Sequence, residues 1–290
     1  MKKYYVVTTG KIEDAVMFRN DEDFTAGMNY VAIVAARHSR VKVIAFILMS
    51  NHVHFVLIGA REDVEAFTLD FKTRYSSYFS RKYGVKGLLK RNEIDFSEID
   101  MAPESREQAI AYVLMNCVAA NICYQANQYP WGTGNIYFNP TKPTGRVIGK
   151  ITAREKQKIL HTNDYHLPSN WIVSDEGVIL PQNYVDVEIV ESCFRTPKRM
   201  AFFLQNSSKA KKRLETDENL PAFTDQAIIG ILPQLYRSLF RKNSFQELRP
   251  EEQTELMRQI RFRFSANIHQ IARVCGLTYA EATEKIDDLP

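Results

Sequence analysis

A chain of 290 residues with formal net charge +4 and pI of about 8.7 has room for a sizeable core, as one large domain or two modest ones. Its 45% hydrophobic and 25% charged residues exclude a disordered or fibrous chain. Its four cysteines (Cys117, Cys123, Cys193 and Cys275) form no CxxC pair and no short disulfide framework, which points to a reducing compartment. The small positive excess is compatible with a polyanionic partner, but its distribution matters more than its sum. Residues 1–8 start basic yet lack the long apolar segment of a signal peptide. The nearly apolar stretch 41–60 is broken by Ser50, Asn51, His52 and His54, which fits two strands around a tight turn better than a membrane span. The expectation is a cytoplasmic protein with no membrane partner.

Residues 4–9 are β-branched and aromatic and read as a first strand. Residues 21–38 open on Asp21, Glu22 and Asp23 and close on Arg37 and His38, the polarity that suits a helix macrodipole. Strands over 41–49 and 52–59 follow, with a turn at Ser50 and Asn51, and then a helix over 63–83. This β-α-β-β-α order begins a ferredoxin-like α+β sandwich, an antiparallel sheet with helices on one face.

The stretch Met49-Ser50-Asn51-His52-Val53-His54-Phe55-Val56-Leu57 organises the rest. In an extended chain His52 and His54 share a face while Val53 points opposite. Two neutral imidazoles at that separation can grip one divalent cation. The alternative is a pair of half-buried histidines hydrogen-bonded to neighbours. The second helix and its exit, residues 71–92, carry seven basic residues (Lys72, Arg74, Arg81, Lys82, Lys86, Lys90 and Arg91) and no acidic one, with Tyr75, Tyr78, Phe79 and Tyr83 among them. Cations neutralise phosphates and aromatic rings stack on unpaired bases. Lys72, Arg74, Tyr75, Arg81, Lys82 and Lys86 are thus candidate contacts to single-stranded DNA, the alternative being a solvated helix face with its aromatics turned to the core.

Residues 105–121 read as a third helix, with Ser105 and Gln108 placed for a capping box. Tyr112 and Asn116 are four apart and share a helix face. They are a candidate pair, or two ordinary polar positions.

Together the Asn51-His52-Val53-His54 strand, the element order and Ala111-Tyr112-Val113-Leu114-Met115-Asn116 resemble the REP-associated tyrosine transposases, in the single-tyrosine branch of the HUH (histidine, hydrophobic, histidine) nucleases. Members read Met-Pro-Asn-His-Val-His, then Arg-Tyr-Ile-x-x-Asn-Pro, then a Tyr/Trp-Pro-Trp-Ser-Ser segment. This chain has Met49 to His54, then Tyr112 to Asn116, then Tyr129-Pro130-Trp131-Gly132. Ser50 and Cys117 stand where prolines are usual, and Gly132-Thr133 replaces the serine pair. The resemblance spans residues 1–139, roughly half the chain. It implies that His52, His54 and Asn116 hold Mg²⁺ or Mn²⁺, with Tyr112 the nucleophile that forms a 5′-phosphotyrosine and a free 3′-OH. The implied activity is cleavage and rejoining of single-stranded, hairpin-forming, REP-like DNA, a DNA transposition and recombination chemistry needing no ATP. A domesticated, non-catalytic DNA-binding regulator and a water-using metal hydrolase are the rivals. Monomer and homodimer stay open.

The sequence divides into a transposase-like domain over 1–139 and an accessory region over 140–290, with prolines 140 and 143 marking a linker. Residues 144–184 are loop-rich, and His161 and His166 there read as surface histidines. The accessory region becomes mainly helical from about residue 190. Residues 192–214 hold seven basic residues and no acidic one, a flanking-DNA clamp or a solvated basic helix. Residues 265–286 look like helix-turn-helix, with Gly276 at the turn and Thr278 as cap; Glu281 and Glu284 on the second helix would repel phosphates, so a plain helical hairpin is the alternative.

Overall fold

The computed structural model describes residues 2–89, 92–100, 102, 104–141, 144–163, 165–210 and 223–287. Lys90, Arg91, Lys142, Pro143, Lys211, Lys212 and Arg213, which figure in the basic stretches and the expected linker, lie outside the described residues.

The first elements are β1 (Lys3–Thr9), α1 (Asp21–Arg37), β2 (Lys42–Met49), β3 (His52–Gly59), α2 (Arg61–Tyr83) and β4 (Ile94–Glu98). The strands lie in the order β2-β3-β1-β4, the ferredoxin-like arrangement of an α+β fold. β1 is the hinge of the sheet. It runs antiparallel to β3 with Thr8 opposite His54 and Val6 opposite Val56, and antiparallel to β4 with Thr8 opposite Asp95. β4 does not stand out in the sequence because Ile-Asp-Phe-Ser-Glu is a short, largely exposed edge strand without an apolar run.

β3 is buried at every position and β2 at all but its first, so both faces of the sheet must be covered. On one face, Phe55 of β3 packs its ring against Phe67 and Phe71 of α2, at 5.8 and 5.6 Å between centroids. α1 packs on α2 through Tyr30 and Tyr78, 6.1 Å apart. Strand alternation turns His54 to the opposite face, where α3 (Ser105–Leu114) lies. The expected one-sided helix layer therefore has a helix across the other face as well.

α3 starts without the expected capping box. Its N-cap is Glu104, in a left-handed conformation at φ 69, and no side chain caps it. Nor does one helix run to residue 121: at Met115 the backbone turns to φ −83, ψ 3, and a short α4 (Asn116–Ala119) follows.

The outer edge of β2 is closed by chain from further on. Leu48 N–H donates to Trp131 O at 2.8 Å, Tyr129 Oη donates to Leu48 O at 2.8 Å and Tyr137 Oη donates to Ile44 O at 2.6 Å. Thr133 Oγ1 accepts from Phe46 N–H at 3.1 Å, and Asp186 N–H donates to Val43 O at 2.9 Å. These bonds occupy groups that would otherwise leave an open sheet edge. Gly132 passes so close to β2 that a Cβ there would sit 2.8 Å from Phe46 O.

Beyond this edge β5 (Arg146–Val147) pairs with β6 (Ile172–Val173), with α5 (Ala153–Leu160) between them in sequence. α6 (Val187–Phe194) and α7 (Pro197–Gln205) follow; Arg199 of α7 bonds Glu104 and Glu107 at 3.1 and 3.2 Å, tying this basic segment to the start of α3. All of this belongs to one compact unit of Met1–Gly10, Asp21–Met49 and Val53–Thr216. The described residues of 140–210 group with the sheet, part of whose cover their chain supplies.

The second unit comprises Lys11–Asn20, Ser50–His52 and Asp217–Pro290. It contains α8 (Asp225–Leu235), α9 (Pro250–Phe264), α10 (Ile268–Cys275) and α11 (Tyr279–Asp287). Val16, Ile228, Leu256, Met257, Ile260 and Ile271 meet in its own core. Asn51 Nδ2 donates to Ile12 O at 2.7 Å, and Met17 N–H donates to Ser50 O at 2.7 Å. Gly276 turns the chain at φ 72 between α10 and α11. Thr278 and Glu281 cap α11 reciprocally, and His269 stacks on Tyr279 at 4.3 Å.

Candidate active site

His54 is 3% exposed and stands opposite Thr8 across the β1–β3 ladder, with Thr8 Oγ1 2.8 Å from its Nδ1. That contact helps to fix the ring, with Nε2 on its opposite edge. Tyr112 of α3 meets the ring edge-on, with centroids 5.9 Å apart at 84°. Lys209, just beyond α7, sets its ammonium 4.5 Å from the centroid of the Tyr112 ring. A histidine, a half-buried phenol and a cation thus meet inside one unit.

The break at Met115 gives Asn116 a defined orientation. Its Nδ2 donates to Tyr112 O at 2.9 Å and to Val113 O at 3.1 Å, carbonyls that the end of α3 leaves without helical donors. With both amide hydrogens spent, Oδ1 is the atom the side chain could offer a cation. Cys117 Sγ lies 3.4 Å from Leu114 O and helps close the same helix end. The neighbouring Cys123 thiol, together with burial, holds Cys117 well above the usual thiol range, so it is no rival nucleophile.

His52 opens β3, two residues before His54, and is buried. Its Nδ1 is 2.9 Å from Asn51 Oδ1. Val53 N–H donates to the buried Thr9 Oγ1 at 2.8 Å, pinning the backbone between the two histidines. Among the described residues no three His, Cys, Asp or Glu side chains converge on a metal position. A set of two imidazoles and an amide oxygen falls outside that composition. The donor chemistry fits a divalent cation: in each histidine Nδ1 is engaged by a neighbour, and Asn116 presents oxygen rather than nitrogen.

The other tyrosines have structural work. Tyr75 is 0% exposed in the aromatic core of α2. Tyr78 donates to Asp23 Oδ1 at 2.9 Å and Tyr83 to Asp23 Oδ2 at 2.8 Å, and burial raises both phenols above the usual range. Tyr129 and Tyr137 seal β2. Tyr124 is 66% exposed.

The same geometry corrects the reading of α2 as a stacking surface. Tyr75, Tyr78 and Phe79 are buried, so no base can stack on them. Lys72 is buried and donates to Asn92 O, and burial lowers its ammonium below the usual lysine range. Arg74 bonds Asp70 at 2.8 Å, Arg81 donates to His161 O at 3.1 Å, and Lys82 bridges Asp23 and Glu22. For Lys82, burial works to lower the ammonium, but its bonds to Asp23, Glu22 and Tyr78 outweigh burial and raise it. Of the six candidate contacts only Lys86 is exposed without a structural bond among the described residues. His161 is likewise no simple surface histidine: its ring packs 5.1 Å from that of Tyr78, and burial lowers it. The sequence reading missed Thr8, whose strand register alone could have signalled it, and it counted Lys209 only among the basic residues of 192–214, with nothing to pair it with Tyr112.

The class defined by these observations is an α+β protein whose sheet and flanking helix bring a tyrosine against a strand histidine. A solved structure of a REP-associated tyrosine transposase bound to a REP hairpin is similar to 46% of this chain and 77% of that one, at 14% identity and a TM-score of 0.36. No family model and no curated protein matches the chain. No helix among the described residues is long and apolar enough to cross a membrane.

Proposed function

We propose that this protein is a metal-dependent, single-tyrosine DNA strand transferase that cleaves and rejoins single-stranded, hairpin-forming DNA. The observation that carries the reading is the meeting of Tyr112 with His54 and Lys209, one helical turn before an Asn116 whose amide hydrogens are both engaged and whose oxygen could accept a cation. In this reading His52, His54 and Asn116 hold Mg²⁺ or Mn²⁺, which when bound polarises the scissile phosphodiester. Tyr112 Oη attacks the phosphorus. As the P–O bond forms the phenol gives up its proton, the bond to the 3′ oxygen breaks, and that oxygen takes up a proton to leave as a 3′-OH. The reverse attack by a 3′-OH releases the tyrosine and rejoins the strand, so no external energy source is needed. Thr8 orients His54, and Lys209 offsets the charge gathered where the phosphate and the phenol meet.

Incubating the protein with hairpin-bearing single-stranded DNA and Mn²⁺, then resolving it on a denaturing gel, tests this. The expected result is a covalent protein–DNA adduct, lost in Tyr112→Phe and in His54→Ala while both variants stay folded. Adduct at wild-type levels in Tyr112→Phe, or cleaved product with no adduct, overturns it. The second reading, a non-catalytic DNA-binding regulator, draws on the α10–turn–α11 hairpin of the second unit and requires binding without any adduct.

A further inference from the structure

A cleft of about 800 Å³ lies between α7 and residues 124–140, all within the first unit. It has the size of a small-molecule site. Among its described lining residues none is charged, although it borders one of the most basic stretches of the chain. Met115, Met200 and Leu204 give it apolar walls, and the exposed ring of Tyr124 stands at its margin. Asn127, Asn135 and Gln205 also line it, and their side-chain amides make no hydrogen bond among the described residues.

Among the described lining residues a phosphate or carboxylate would meet no cation, which favours a neutral occupant. Apolar walls beside an aromatic ring accept a flat ring, and uncommitted amides match an edge that carries both donors and acceptors. A nucleobase meets all three requirements. Position adds a fourth argument. Met115 is the residue at the α3–α4 break, between Tyr112 and Asn116, while Leu204 and Gln205 end the helix that leads to Lys209. Two short stretches of chain therefore connect the lining of the cleft to the tyrosine site.

We propose that this cleft holds one unpaired base of the substrate strand, flanking the nucleotide whose phosphate Tyr112 attacks, and that it gives the site its sequence preference. The assignment rests on the function proposed above, so its test reads binding rather than cleavage. The full-length Tyr112→Phe protein is titrated with a DNA hairpin carrying single-stranded flanks, in which each flank nucleotide in turn is replaced by an abasic one. The expected profile has one position where loss of the base weakens binding by about tenfold. Adding Asn127→Ala and Asn135→Ala, both exposed and with side chains that make no hydrogen bond among the described residues, should weaken binding of the intact hairpin by a similar factor and abolish the abasic penalty at that position alone. Gln205→Ala should act in the same direction. An abasic profile with no such position, or one identical in the parent and the substituted proteins, overturns the proposal. If the profile behaves as expected while the wild-type chain forms no adduct, the base site stands and the strand-transfer reading falls.

Discussion

At His54 the ring is set by one hydroxyl. Thr8 Oγ1 lies 2.8 Å from Nδ1, and β1 and β3 hold the two residues directly opposite each other. Thr8→Val keeps the shape and removes that partner. In the proposed metal site Thr8 would be an outer-shell partner, and such partners typically change metal affinity about 10–100-fold. We expect Thr8→Val to need correspondingly more Mn²⁺ for half-maximal adduct formation, with an unchanged circular dichroism spectrum; an unshifted Mn²⁺ dependence would remove Thr8 from the site. Lys209 makes a different prediction. Its ammonium sits 4.5 Å from the Tyr112 centroid, so Lys209→Met should slow single-turnover adduct formation by about tenfold or more, and Lys209→Arg should restore most of it. Lys198→Met, an exposed lysine on the same basic stretch, serves as the control for simple loss of charge. Equal effects at the two lysines would reduce Lys209 to general electrostatics. The pair Tyr112 and Asn116 was legible in the sequence as a four-residue spacing. The break at Met115 was not, nor the use of the Asn116 amide to close a helix end, because both depend on where the chain bends rather than on the identity of any one residue.

At the scale of the element, the outer edge of β2 carries the most specific expectation. Gly132→Ala puts a methyl group 2.8 Å from a backbone carbonyl that cannot rotate away. The strain should cost about 1–3 kcal/mol in denaturant unfolding, by analogy with overpacking of a close-packed interior. Tyr137→Phe should cost roughly 1 kcal/mol through the lost bond to Ile44 O. A Gly132→Ala protein as stable as wild type would mean that this segment can lift off β2. α2 shows why charge counting misleads. Its basic residues and tyrosines alternate in sequence as they would on a nucleic-acid surface, yet the buried carboxylate of Asp23 gathers Tyr78, Lys82 and Tyr83 into one network. A buried carboxylate requires such partners. It comes from α1, dozens of residues away, so no local pattern announces it.

At the scale of the whole molecule the chain forms two units whose boundaries cross in sequence. In the second unit the well-buried Asp225 takes two bonds from Arg273, at 2.9 and 3.3 Å. Removing one partner of a buried pair leaves an uncompensated charge, so Arg273→Leu should destabilise this unit by about 3 kcal/mol. The double variant Asp225→Asn/Arg273→Leu should recover part of that loss. A single variant with wild-type thermal stability would show that Asp225 is hydrated in solution.

The sequence by itself determined the strand–helix order of the first 83 residues and the α+β class. Each is a matter of local periodicity, which the backbone reads over a few residues. Only the tertiary structure decided that α3 crosses the face of the sheet that carries His54, and that residues 129–137 and 185–186 seal β2. It also decided that the basic run after residue 192 returns to set Lys209 against Tyr112. Those contacts join positions far apart in the chain, and they form because a sheet buried on both faces must recruit its cover from wherever the chain can supply it.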